Sequence, residues 1–327
     1  VQTCALPILS VIDSTCAGGD SGEILDGKKN GIPVAASLDE AIAAAGGRAT
    51  HFVIGLAPEG GGLSPEARKD VRAALQAGLH IDSGLHDFIT EDPEMVEIAF
   101  RKKVAIRDVR KPPPASELHF FSGKIEQVKS FKIAILGTDS AVGKRTTAWI
   151  LLKNLAAAGF KSEMNGTGQT AWLQGAKYCI FLDSIINDFV SGEIEHAVFG
   201  AWENEKPDFI IIEGQGSLMN PAYPGGFEIL AAARPDVIVL QHAPYRTEYE
   251  GFPGFPIHPL PKQIQVIELL SGKPVAAVTI NHEGIEKKDI PAVCDATAKA
   301  IGLPVFDVLT DGAEGLVKVL RTYIRRL

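Results

Sequence analysis

Short apolar runs alternate with segments of helical period along the whole chain. In the first third, the runs at 9–13, 50–56, 79–82 and 104–107 have the length and composition of strands. Between them, Ser37 stands where a helix reaching about Ala45 needs an N-cap. Ser64-Pro65-Glu66 opens a second helix with a capping hydroxyl and a first-turn proline, and Asp92-Pro93 opens a third that runs through Ala99. Strands alternating with helices predict a parallel α/β unit. The pattern breaks at Lys111-Pro112-Pro113-Pro114, where three prolines stiffen the chain into a connector. An N-terminal domain over 1–115, a linker over 116–130 and a second domain over 131–327 follow.

Within the linker, 118–121 has the composition of an edge strand. Beyond it the alternation resumes, with strands expected at 133–136, 162–165, 209–212, 236–240, 274–280 and 305–306. Helices are expected at 146–158, 184–202, 261–271, 289–301 and 313–326. Residues 244–261, rich in Pro, Gly and aromatics, are too long for a simple connection and predict an ordered lid or rim.

Parallel sheets bind ligands outside the carboxyl ends of their strands, so the residues just after each strand become candidates. The clearest stretch is FKIAILGTDSAVGKRTTAWI, 131–150, in which an apolar run enters a glycine-bounded loop and then a helix. Such a loop aims backbone N–H groups at a phosphate, with the helix dipole adding positive charge. Gly137, Thr138, Gly143, Lys144, Arg145, Thr146 and Thr147 are its phosphate-binding candidates. Two features depart from the usual pattern. Five residues rather than four separate the glycines, and Arg145 stands where a Ser or Thr normally holds Mg²⁺. Thr146 is the nearest hydroxyl that can replace it.

Other strand ends supply acids and bases. Glu213, directly off an apolar strand, fits a metal-water holder or a base, and Asp139 can orient Lys144 or bind substrate. Asp183, after the apolar stretch 178–182, fits a helix N-cap or a catalytic acid equally well. His242 and Arg246 share one loop and suit an anionic substrate, Arg246 by gripping a carboxylate in two parallel hydrogen bonds. Asp82 and His86 follow a strand in the first domain and are substrate-side candidates, as is the Asp13-Ser14-Thr15 turn. His282 and Glu283 fit either a catalytic pair or a polar loop, the loop being the preferred reading. Gly60 to Gly62 lack dinucleotide spacing, and His242, His258 and His282 lack zinc spacing, so no metal site is expected.

Composition narrows the class. Hydrophobic residues make up 46% and charged residues 22%, as in a chain that can bury a sizeable core. A net charge of −8 argues against nonspecific nucleic-acid binding. No apolar run approaches the roughly 18 residues that span a membrane. Four scattered cysteines form neither a metal nor a disulfide spacing, so a cytoplasmic protein is expected. The first eight residues (VQTCALPI) look non-native, which predicts a truncated native N-terminus.

Two resemblances follow from these motifs. GTDSAVGK (137–144), IIEGQGS (211–217) and TINHEG (279–284) are similar to segments of dethiobiotin synthetase and related P-loop proteins. That likeness implies an ATP/Mg²⁺-dependent ligase or kinase, with Asn281 on the adenine side. VIDST (11–15), IDSGLHDF (81–88), GTDSAVGKRTTA (137–148), EMNGTGQTAWL (163–173) and EGQGSL (213–218) more closely resemble a bacterial and archaeal two-domain family long described only as a domain of unknown function. This second resemblance implies a Rossmann-like domain followed by a P-loop NTPase-like parallel-sheet domain. It also implies acetyl-CoA as co-substrate, because the family includes D-glutamate N-acetyltransferases associated with an enolase-superfamily racemase or epimerase.

Coenzyme A carries a 3′-phosphate and a pyrophosphate, which a phosphate loop can hold without hydrolysing anything, and Arg145 would add charge neutralisation. Acetyl transfer to an amine needs a base, for which Asp139, Glu213 and His242 are the candidates, and D-glutamate offers carboxylates to Arg246. The two small molecules are expected to meet between the domains of a homo-oligomer that engages neither nucleic acid nor membrane.

Overall fold

The computed structural model describes residues 7–56 and 58–324, so six of the eight N-terminal residues expected to be non-native lie outside it. The chain divides into two compact units, Val1–Pro112 with Leu173–Gly175, and Pro113–Trp172 with Ala176–Leu327.

In the first unit, β1 (Val11–Ile12) pairs in parallel with β2 (Val34–Ala35). β3 (His51–Val53), β4 (His80–Ser83) and β5 (Ile106–Asp108) form a parallel sheet in that order. Its helices are α1 (Ser21–Asp26), α2 (Leu38–Ala44), α3 (Pro65–Gln76) and α4 (Pro93–Lys102). The expected caps are present: Ser64 Oγ accepts from Ala67 N at 3.1 Å, and Asp92 Oδ1 accepts from Glu94 N and Met95 N. Val71, Ala74 and Leu75 recur at helical spacing on α3 and bury against Ile81, Leu85, Ile89 and Met95. α1 was not anticipated. Asp20 builds it by accepting from Gly22 N and Glu23 N, and it also gathers Asn30 N and Gly31 N from the chain beyond the helix.

The second unit is organised on β6 (Phe131–Gly137), the central strand of a seven-stranded parallel sheet. Following the chain, α5 (Lys144–Ala157), β7 (Ser162–Gly166), α6 (Gln169–Leu173), β8 (Tyr178–Cys179), α7 (Asn187–Glu205) and β9 (Phe209–Glu213) lead to α8 (Gly226–Glu228). A π-helical turn over Ile229–Ala233, β10 (Val237–His242), α9 (Leu260–Ser271) and β11 (Val275–Ile280) come next. α10 (Ile290–Ile301), β12 (Val305–Phe306), α11 (Val308–Asp311) and α12 (Glu314–Ile324) close the unit. The strand order is β12-β11-β10-β6-β9-β7-β8. Ile133 and Ile135 bury one face of β6 against Leu151 and Leu155 of α5 and Leu316 and Leu320 of α12. Ala134 and Leu136 bury the other against Ile194 and Val198 of α7 and Ile229 of the π turn. Burial on both faces explains why these strands read as unbroken apolar runs.

Several local expectations change. Residues 118–121 form no strand. This segment is fastened to α7 by carboxylates: buried Glu195 accepts from Ser122 N and Oγ, both at 2.7 Å, and from Ile125 N at 3.1 Å, while Glu193 accepts from His119 N at 2.6 Å. A carboxylate satisfies these N–H groups where no neighbouring strand does. Asp183 is not a helix cap. It sits in the 3-10 turn Leu182–Ser184, and α7 begins later with no side-chain cap. α5 starts at Lys144, two residues before the expected Thr146, because Gly143 at φ 101° turns the loop straight into the helix. The polar segment after β7 is partly helical, as α6.

Candidate functional site

The carboxyl ends of β9, β6 and β10 lie side by side, with Ile135 in register with Glu213 and Gly137 with Gln241. This brings the glycine loop, Glu213 and His242 together at the position where a parallel sheet binds ligands. A Cβ at Gly137 would come within 2.8 Å of Lys144 Nζ, so any side chain there would have to displace the lysine. Lys144 is buried and its ammonium donates to the carbonyls of Asp139 at 2.7 Å and Gly216 at 3.1 Å. Burial lowers its pKa to about 8, against the opposing pull of the Glu213 and Asp139 charges.

Asp139 is fully buried with four donors on its carboxylate. Ser140 N (2.7 Å) and Asn220 Nδ2 (3.1 Å) donate to Oδ1, and Arg246 Nη1 (3.0 Å) and Glu250 N (2.8 Å) donate to Oδ2. A carboxylate so occupied has little left with which to accept a substrate proton, and Asp139 is better suited to binding the surrounding loops together. Arg246 is the largest of those ties. Its side chain is 12% exposed and also donates to Ser140 O at 2.8 Å and Glu283 Oε2 at 2.7 Å. The guanidinium expected to grip a substrate carboxylate is therefore already paired with protein carboxylates, and it pins the loop after β10 onto the phosphate loop.

Glu213 is buried, and burial raises its pKa, with Arg145 and then Lys144 pulling the other way. Arg145 Nε is buried without a hydrogen-bond partner among the described residues. Of the two candidate threonines at the helix start, Thr146 is exposed, whereas buried Thr147 donates to Gln241 Oε1 at 2.5 Å. Thr279 donates to the same oxygen at 2.5 Å. Sequence reasoning missed Gln241, whose role needs three chain segments to converge.

His242 is the last residue of β10, and its Nδ1 lies 3.0 Å from Thr138 Oγ1. Burial lowers its pKa to about 4, so it is a neutral imidazole at physiological pH. Asn281, half-buried after β11, donates its N–H to His242 O at 2.7 Å and accepts from Glu283 N through Oδ1 at 3.0 Å. His282 stands beside it with Nδ1 2.5 Å from Asp307 Oδ2, a pairing that sequence reasoning missed entirely.

The remaining candidates lie in the first unit. Buried Asp82 receives Arg107 through Nε at 2.5 Å and Nη2 at 2.7 Å, so its carboxylate is committed to a protein partner that the sequence had not singled out. His86 donates its backbone N–H to Gly61 O at 3.0 Å. Asp13 closes a local turn by accepting from Thr15 N and Oγ1. Among the described residues no cluster of three or more His, Cys, Asp or Glu is disposed to hold a metal, and no helix is long and apolar enough to cross a membrane.

Comparison with known proteins adds three findings. Residues 119–317 match the P-loop domain, and residues 14–112 the Rossmann-like domain, of a domain-of-unknown-function family, DUF1611. Two relatives named D-glutamate N-acetyltransferase are each 30% identical. The protein from Tritonibacter scottomollicae aligns over 290 residues, 87% of this chain and 84% of its own, and that from a Pseudoalteromonas species over 275 residues, 82% and 80%. A crystal structure of a DUF1611 family protein from Anabaena variabilis superposes with a TM-score of 0.90 at 30% identity, covering 98% of this chain and 93% of that one.

Proposed function

The chain belongs to the DUF1611 family, a Rossmann-like domain followed by a P-loop domain, and from that premise we propose that it is an N-acetyltransferase moving an acetyl group from acetyl-CoA to the amino group of D-glutamate. The observation that carries this is the 30% identity, over 87% of the chain, to a protein named for that reaction. The loop chemistry supports it. Lys144 and the unpartnered Nε of Arg145 offer positive charge at the helix start where a magnesium-binding hydroxyl would otherwise stand. Such a loop neutralises the phosphates of coenzyme A with side chains and backbone N–H groups. Asn281 is disposed for the adenine side. A racemase or epimerase of the enolase superfamily is a fitting supplier of the D-enantiomer.

A second reading has its own support: Glu213 at the end of β9, in register with β6, is where an ATP-dependent ligase or kinase keeps its metal-side acid. One assay separates the two. Purified protein, acetyl-CoA and a panel of D- and L-amino acids are monitored for free thiol. Release with D-glutamate is the expected result. No release, together with thermal stabilisation by ATP–Mg²⁺ but not by coenzyme A, would replace the acetyltransferase with the ligase.

A further inference from the structure

The loop after β11 carries a second acid–base pair that the site described above does not use. His282 Nδ1 lies 2.5 Å from Oδ2 of Asp307, which immediately follows β12. Asp307 is fully buried, and its other oxygen accepts from Leu309 N at 3.0 Å and Thr310 N at 3.2 Å, so α11 holds the carboxylate in place. A carboxylate receiving backbone N–H bonds is an acceptor, so the proton of that short bond sits on His282 Nδ1. The other ring nitrogen, Nε2, is then the one with the lone pair, on a side chain that is 33% exposed. Histidine oriented through Nδ1 by a buried carboxylate is the arrangement of a general base.

The pair is tied to the phosphate loop by consecutive bonds. Glu283, the next residue, accepts from Arg246, which donates in turn to Asp139 inside that loop. Asn281, the preceding residue, is bonded to His242 at the end of β10. We infer that His282, oriented by Asp307, is the base that deprotonates the acceptor amine, a step that rests on the acyl transfer proposed above. His242 is the weaker alternative, because burial holds its pKa at about 4.

The acceptor arrives as an ammonium, and His282 Nε2 takes one proton. The freed lone pair attacks the thioester carbonyl carbon, forming the C–N bond. The C–S bond breaks and the thiolate leaves, the imidazolium returning its proton to the sulfur. The second amine proton passes to water, so the products are the amide, free thiol and one proton. Asp307 is a positioning residue in this scheme. The ionisable groups nearby are Glu283 on the same loop, Asp311 on α11, and Cys294 and Asp295 on α10. Burial first, then the charges of Asp307, Asp311 and Asp295, push the Cys294 thiol up to about 11, so it is protonated at working pH.

The decisive variant is His282→Asn, whose amide N–H can replace Nδ1–H as donor to Asp307 but which has nothing in place of Nε2. Thiol release with D-glutamate is measured for wild type, His282→Asn and Asp307→Asn, alongside coenzyme A binding by calorimetry. His282→Asn is expected to keep coenzyme A affinity within about twofold and lose roughly 100-fold or more in kcat. Its residual rate should climb with pH as the free amine deprotonates itself, where the wild type levels off. His282→Ala, soluble or refolded to the same circular dichroism spectrum, should regain part of the rate with added imidazole. An active wild type alongside His282→Asn within threefold of it, with the same pH profile, overturns the dyad alone. A wild type that releases no thiol with any amine overturns the acyl-transfer reading and the dyad together.

Discussion

Burial changes how Lys144 holds its proton. Its ordinary pKa is 10.5 and burial lowers it to about 8. Between those values the unfolded chain binds more protons than the folded one, so this lysine makes stability rise with pH from about 8 to 10.5. Below 8 the full cost of burying the ammonium is present, and above 10.5 it is gone. A bound phosphate favours the charged form and reverses the shift. Affinity for coenzyme A should therefore weaken as pH rises through about 8, with net proton uptake on binding. Calorimetry at pH 8.5 in buffers of different ionisation enthalpy checks this. Lys144→Ala should lose about tenfold or more in affinity along with the pH dependence, on the scale of one charge-assisted hydrogen bond. Equal affinity in the variant would refute the loop's role. The lysine and the glycines around it were legible because a phosphate loop is a local pattern. Gln241, Arg107 and Asp307 were not, because each gains its meaning from a partner at least 25 residues away.

At the scale of elements, strands buried on both faces were plain in the sequence, and so were helices opened by Ser64-Pro65 and Asp92-Pro93, since cap and period are local signals. The segment around 118–121 was misread as an edge strand for the opposite reason. It is held by Glu193 and Glu195, more than 65 residues further along the chain. Gly192 immediately precedes Glu193 on α7, and a Cβ there would come within 2.0 Å of His119 O. Gly192→Ala should therefore destabilise the second unit by about 1–3 kcal/mol, the usual cost of overpacking. The shift in its denaturation midpoint measures the cost, and faster proteolysis within 118–125 would show that this segment is the part displaced. A variant as stable and as protease-resistant as the wild type would mean that the segment adjusts freely.

For the whole molecule, every hydrogen-bond partner described for the phosphate loop lies within Pro113–Leu327. A fragment spanning 113–327 should bind coenzyme A with an affinity within a fewfold of the full chain, by the same calorimetry. Loss of binding in a folded fragment would show that the first unit supplies part of the phosphate site. Periodicity, capping and phosphate cradling act between near neighbours, so the alternation of elements, the two α/β units and the chemistry of one loop can be read from residue order alone. Which side chains are spent on the protein itself emerges only when distant segments fold together. Asp139, Arg246 and Asp82 all looked available for substrate, and each is paired across a turn or a sheet by an oppositely charged partner. The same convergence gave His282 its carboxylate, since a buried charge is stable only where the fold brings it a counterpart.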